Sequence, residues 1–161
     1  MKVEDLRQEI ENELGLMEKT VGEISAIQQD LQQRQPTVRE KTAAAAFLAQ
    51  FYGGIENILK RICRFHSVPL PEGSTWHTDL FKQFCFPPHP PLPAMFDESL
   101  ASRLAPYRQF RHVFFHGYGF ELDWGKMLQG IVEAQEIFSL FKAQLWNYLS
   151  GLSASPSETK S

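Results

Sequence analysis

Apolar residues recur at steps of three, four and seven in the N-terminal part of the chain, at Leu6, Ile10, Leu14, Met17, Val21, Ile24 and Leu31. That period lays one stripe along a helix. Residues 2–34 are therefore predicted as one long amphipathic helix, weakened slightly by Gly15 and Gly22 and ended by Pro36. Its stripe demands a partner helix, in this chain or another. Thr37-Val38-Arg39-Glu40 sets a hydroxyl three residues ahead of a carboxylate, a capping box, so a second helix should run from there to about His66. The run Ala43 to Ala46 permits close backbone approach. Gly53-Gly54 inside a helix costs stability and points to a tight helix crossing.

Ser74 or Thr75 can cap a short third helix reaching about Phe84. The proline-rich stretch 87–93 reads as a stiff connector. Asp97 is a good N-cap for a fourth helix, on which Leu100, Leu104, Tyr107, Phe110 and Phe114 share a face. Pro106 lies within that stripe, so a kink is expected and not a break, and Gly117 or Gly119 should stop the helix. Asp123 caps a fifth helix over about 124–150, with Met127, Ile131, Phe138, Phe141, Leu145 and Leu149 inward. No strand pattern and no internal repeat competes. The expected fold is all-α, an antiparallel bundle of four long helices plus one short helix. It forms a single domain over 1–152, with a polar, mobile tail over 153–161.

Composition narrows the class. A chain of 161 residues suits one domain with a real core, and thirteen phenylalanines suggest a thickly packed one. The net charge of −3 argues against indiscriminate nucleic-acid binding, but the charge is unevenly spread. Residues 1–35 hold four basic and eight acidic side chains, whereas residues 36–66 hold five basic and two acidic. A localised phosphate site fits that distribution better than a basic face. Two cysteines, Cys63 and Cys85, form no disulfide framework and read as reduced thiols. The start is too charged for a secretory signal, and no run approaches the length of a membrane span. A soluble, cytoplasmic protein without membrane contact is expected.

The chemistry concentrates in Arg111-His112-Val113-Phe114-Phe115-His116-Gly117-Tyr118. Arginine binds phosphate through parallel N–H donors, and histidine exchanges a proton near neutral pH. Cleavage of RNA needs both, because a 2′-hydroxyl must lose a proton while a phosphate gains charge. The spacing Arg-x4-His also occurs at Arg61 to His66, without a tyrosine two residues on, and reads there as a basic helix end favoured by the macrodipole. His112 and His116 stand at a zinc-compatible spacing, yet no third ligand is evident, so neither metal nor cofactor is expected.

Arg111 to Tyr118, as Arg-x4-His-x-Tyr, resembles the signature of the HepT-like branch of the HEPN superfamily. Three further blocks are similar to that family in the same order. Ala43 to Leu48 leads into Tyr52-Gly53-Gly54-Ile55-Glu56-Asn57-Ile58-Leu59-Lys60-Arg61-Ile62. Gly73-Ser74-Thr75-Trp76-His77 is followed by Leu80, and Phe110 runs through Phe120 to Trp124. The resemblance implies a HEPN-like fold and a ribonuclease toxin, a homodimer with a composite cleft that cuts RNA. It also implies that Tyr118 accepts AMP groups from a cognate minimal nucleotidyltransferase acting as antitoxin. The rival reading is a non-catalytic helical subunit that binds nucleotide or substrate for a nucleotidyltransferase.

Spacing constrains the site further. Arg111 and His116 lie about 140° apart around a regular helix and about 7.5 Å apart along it. Either the helix unwinds near Gly117, or two chains share a cleft; the resemblance implies the second. Arg111 sits near the edge of the apolar stripe and needs an acceptor, for which Glu56 is the candidate. Arg108 and His112 stand as supporting residues. The expected mechanism is metal-independent, with His116 as general base or acid and Arg111 on the phosphate. Tyr118 should open toward the same cleft. Trp76-His77 reads as packing at a helix start, with no catalytic part for His77.

Overall fold

The computed structural model describes residues 1–154 and is all-helical there, so the part of the expected tail beyond Ala154 lies outside the described residues. Helix α1 spans Val3–Asp30. It stops four residues short of the expected end. Leu31 closes the last turn onto the Ile27 carbonyl at 3.1 Å, and beyond it come only polar residues before Pro36. A residue preceding proline is disfavoured in the helical region, and nothing apolar remains there to compensate. The stripe Leu6, Ile10, Leu14, Met17, Val21 and Ile24 is fully buried. Its partners are α2 and α5 of the same chain. At about 1.5–3 kcal/mol per buried aliphatic side chain, that face stabilises the fold strongly.

Helix α2 spans Val38–Phe65, and its capping box forms as expected. Glu40 N–H donates to Thr37 Oγ1 at 3.1 Å and Thr37 N–H to Glu40 Oε1 at 2.9 Å. Helices α1 and α2 cross where Gly54 faces Met17. A Cβ at Gly54 would fall 2.5 Å from Met17 Cγ, so glycine here is the condition for close approach. Gly53 meets no such neighbour. Arg61 reaches Glu9, and Asn57 reaches Glu13, which fixes the two helices as antiparallel.

Helix α3 is shorter than expected, Trp76–Lys82. Thr75 occupies the N-cap, but its hydroxyl bonds the Asp79 carboxylate at 2.9 Å instead of capping the backbone. Gly73, at φ +92°, makes the turn that feeds Trp76 into the bundle. The proline-rich connector closes on itself, with Met95 and Phe96 N–H both donating to the Phe84 carbonyl at 2.8 and 3.0 Å. Helix α4 spans Glu98–His116 and runs unbroken through Pro106, capped by Asp97 Oδ1 accepting from Leu100 N–H at 2.8 Å. Leu100, Leu104 and Tyr107 are buried, while Phe110 and Phe114 are half-buried. A single 3-10 turn, Gly119–Glu121, precedes α5 at Trp124–Ala154, which runs four residues past the expected 150. Tyr107 hydroxyl donates to the Gly130 carbonyl at 2.6 Å, and Arg103 spans to Glu133 and Glu136, so α4 and α5 are antiparallel too.

Candidate active site

The interior of α2 delivers one carboxylate to a place where water does not reach. Glu56 is 2% exposed and is the one charged side chain buried among the described residues. A buried carboxylate must be paired and hydrogen-bonded to stay ionised. Its oxygens go to two different elements. Oε1 lies 3.6 Å from Arg111 Nε on α4, an ion pair of the kind expected from the stripe edge. Oε2 lies 2.6 Å from Nδ1 of His77 on α3, much the shorter contact. The triangle then closes, since Arg111 Nη1 stands 3.2 Å from His77 Nε2.

Flat groups stack around this triangle. The Trp76 and His77 rings lie 3.5 Å apart between centroids, and Lys60 Nζ sits 4.3 Å above the Trp76 ring. On the other flank the Arg111 guanidinium lies 4.9 Å from the centroid of the exposed Phe115 ring. His77 thus joins the site despite being read as packing from sequence. One signal pointed to it. The signal was the place of His77 in the Gly73-Ser74-Thr75-Trp76-His77 block, one of the stretches that carry the family resemblance.

Arg111 and His77 border an open cleft of about 680 Å³ together with Arg108, His112, Phe115 and His116. Arg108 stacks over Phe81 at 4.9 Å, and its buried Nη1 has no hydrogen-bond partner. The buried Tyr52 hydroxyl likewise has none of good geometry, although the Arg108 guanidinium lies near enough to act on it. Burial raises the Tyr52 phenol above its ordinary range, the Glu56 charge adds to that, and the charge of Arg108 opposes it. Two guanidiniums, those of Arg108 and Arg111, thus stand on the cleft wall.

His116 is the last residue of α4 and is exposed, its ring 4.5 Å from that of His112. The helix stays regular up to it, and Gly117 leaves in an extended conformation (φ −125°, ψ −176°). Unwinding before His116 is thus not how the chain unites it with Arg111. The two side chains border one cleft without touching. Tyr118, 76% exposed, lines a neighbouring hollow of about 390 Å³ with His112 and His116, and is not on the wall that holds Arg111. Its backbone N–H is fixed by Glu121 Oε1 at 3.0 Å. The described residues contain no group of three His, Cys, Asp or Glu side chains able to hold a metal ion, and no described helix is long and apolar enough to cross a membrane.

A family model described as HepT-like protein matches residues 43–152, from early α2 almost to the end of α5. The chain belongs to the HepT-like family. That family lies within the HEPN superfamily, and the helical bundle described above agrees with it. No curated protein and no solved structure matches the chain. In this HepT-like protein every residue of the cleft falls inside the matched stretch, while α1 lies outside it.

Proposed function

We propose that this HepT-like protein is a metal-independent RNA endonuclease of a toxin–antitoxin pair, acting as a homodimer. HEPN proteins of this family are in general ribonucleases, which supports this reading. The observation that carries the reading is the cleft itself. A guanidinium held by a buried carboxylate shares a wall with an exposed imidazole at a helix end. Arg111 binds the scissile phosphate and stabilises its developing charge. His116 removes the 2′-hydroxyl proton or supplies a proton to the leaving oxygen. The 2′-oxygen attacks phosphorus, the bond from phosphorus to the 5′-oxygen breaks, and that oxygen takes a proton. The products are a 2′,3′-cyclic phosphate and a 5′-hydroxyl.

One imidazole serves two proton transfers poorly, so a second His116 across a two-fold axis completes the reaction. The surface favours α4 for that dimer. The apolar stripe of α1 is spent on α2 and α5, whereas Val113, Phe115 and Phe120 stand 55–81% exposed around the end of α4. An exposed apolar patch of this kind marks an association surface. Tyr118 is the acceptor for AMP from a cognate minimal nucleotidyltransferase antitoxin. Its exposed ring beside His112 and His116 supports that role, since a bulky anion there would crowd the imidazoles.

The test is purified protein incubated with single-stranded RNA in the presence of a chelator. Fragments ending in 2′,3′-cyclic phosphate are expected, and they should disappear in His116→Ala. RNA left intact by a folded dimer would overturn the nuclease reading in favour of a non-catalytic subunit that binds nucleotide for the nucleotidyltransferase. Mass spectrometry after co-expression with that enzyme should find the added mass on Tyr118, and an unmodified Tyr118 removes the modification step.

A further inference from the structure

The triangle of Glu56, His77 and Arg111 admits one self-consistent pattern of protons. A guanidinium has donors only. The 3.2 Å contact from Arg111 Nη1 to His77 Nε2 is therefore a hydrogen bond only when Nε2 carries a lone pair. The imidazole proton must then sit on Nδ1, where it donates to Glu56 Oε2 at 2.6 Å. The stack with Trp76 sets the plane of the ring, and Glu56, buried in α2, sets its rotation. Arg111 is consequently tied on its Nε side by Glu56 and on its Nη1 side by His77, with the Phe115 ring against its face. Nη2 has no partner among the described residues.

We infer that His77 is a positioning residue for the site: as the Nδ1–H tautomer it holds the Arg111 guanidinium at one angle, leaving Nη2 for an RNA phosphate. The inference deepens the nuclease reading and rests on it for its substrate. Arginine on a flexible stem loses side-chain entropy whenever it binds, and a guanidinium fixed beforehand avoids that loss at the moment of reaction. An ion pair with Glu56 alone does not give this, because a contact of 3.6 Å leaves the fork free to turn. The acceptor at Nε2 removes that freedom.

Two substitutions separate positioning from mere support of the buried carboxylate. The amide of His77→Asn reaches the Nδ1 position and can still donate to Glu56, but nothing reaches Arg111. The amide of His77→Gln reaches the Nε2 position, where its oxygen can accept from Arg111. With single-stranded RNA, kcat should fall by about 10²-fold in the Asn variant with a smaller change in KM, and the Gln variant should recover most of it. Equal activity in the two variants, or recovery by Asn instead of Gln, overturns the assignment.

A second measurement needs neither cleavage nor a variant. The imidazole nitrogens of His77 in the isotopically labelled wild-type protein should show a protonated Nδ1 and a bare Nε2 by NMR. The opposite tautomer, or an imidazolium, sinks the inference. If wild-type protein leaves RNA intact while that tautomer is found, the nuclease reading falls and the fixed guanidinium stands.

Discussion

Two helix ends in this chain carry the same spacing, Arg61 to His66 on α2 and Arg111 to His116 on α4, and they meet opposite fates. Arg61 lies between two acids of α1, with Nη1 3.1 Å from Glu9 and Nη2 3.5 Å from Glu13. His66 is half-buried and bonded to the Tyr148 hydroxyl at 2.6 Å, edge-on to Phe65. Apart from the buried Arg61 Nε, which has no hydrogen-bond partner, the polar groups of that pair are engaged inside the bundle. At the end of α4, Arg111 shares a single buried carboxylate with His77, and His116 faces open solvent beside His112. One site spends its chemistry on packing, and the other keeps it available. Spacing along a helix is thus silent about role, which is set by what other helices bring opposite.

The comparison breaks most decisively on activity. His116→Ala should reduce RNA cleavage by about 10²–10⁴-fold, the usual worth of a proton-transfer group, with no change in melting temperature because the ring is exposed. His66→Gln should leave cleavage near wild type. Comparable losses in both would mean that the α2 pair also serves the reaction.

Stability should sharpen the contrast next. Glu56→Ala leaves Arg111 and His77 without their buried acceptor and should cost about 1.5–3 kcal/mol in urea unfolding, as expected for hydrogen bonds to a charged group. Loss below a few tenths of a kcal/mol would show that the triangle contributes little to the fold. Arg61→Ala should cost less, about 1 kcal/mol or under, since its side chain and that of Glu9 are each about one-third exposed and water screens the pair. RNA cleavage should survive that change, and a loss of activity in folded Arg61→Ala would contradict the structural role.

The smallest effect concerns pH. Burial holds the His66 imidazole below its ordinary value of 6.5. The unfolded chain therefore takes up that proton first as pH falls, so this group's contribution is present above about 6.5 and is lost on going lower. Melting temperatures followed from about pH 8 down to about pH 5 should drop less in His66→Gln than in wild type. An identical slope would show that His66 protonates as easily folded as unfolded.

Most of the architecture was legible in the chain. The apolar period of α1, the capping box at Thr37, the Asp97 cap and the inward face of α5 are local or periodic features, and local physics places them wherever the helices finally lie. Gly54 announced a crossing, although only the fold supplied Met17 as the reason. Helix ends were read less well. The close of α1 at Asp30 and of α3 at Lys82 depends on where burial stops, and that is a tertiary fact.

The candidate site divides in the same way. Sequence alone determined that a guanidinium, two imidazoles and a phenol fall within eight residues near the end of α4, and it offered Glu56 as the candidate acceptor for Arg111. It could not determine that His77, 21 residues from Glu56 and 34 from Arg111, closes the triangle, or that Tyr118 turns to the neighbouring hollow. Periodicity fixes which way a residue points from its own helix. Which carboxylate it finds there is decided by helices packing across one another, and the low dielectric of that packing makes the choice of partner matter.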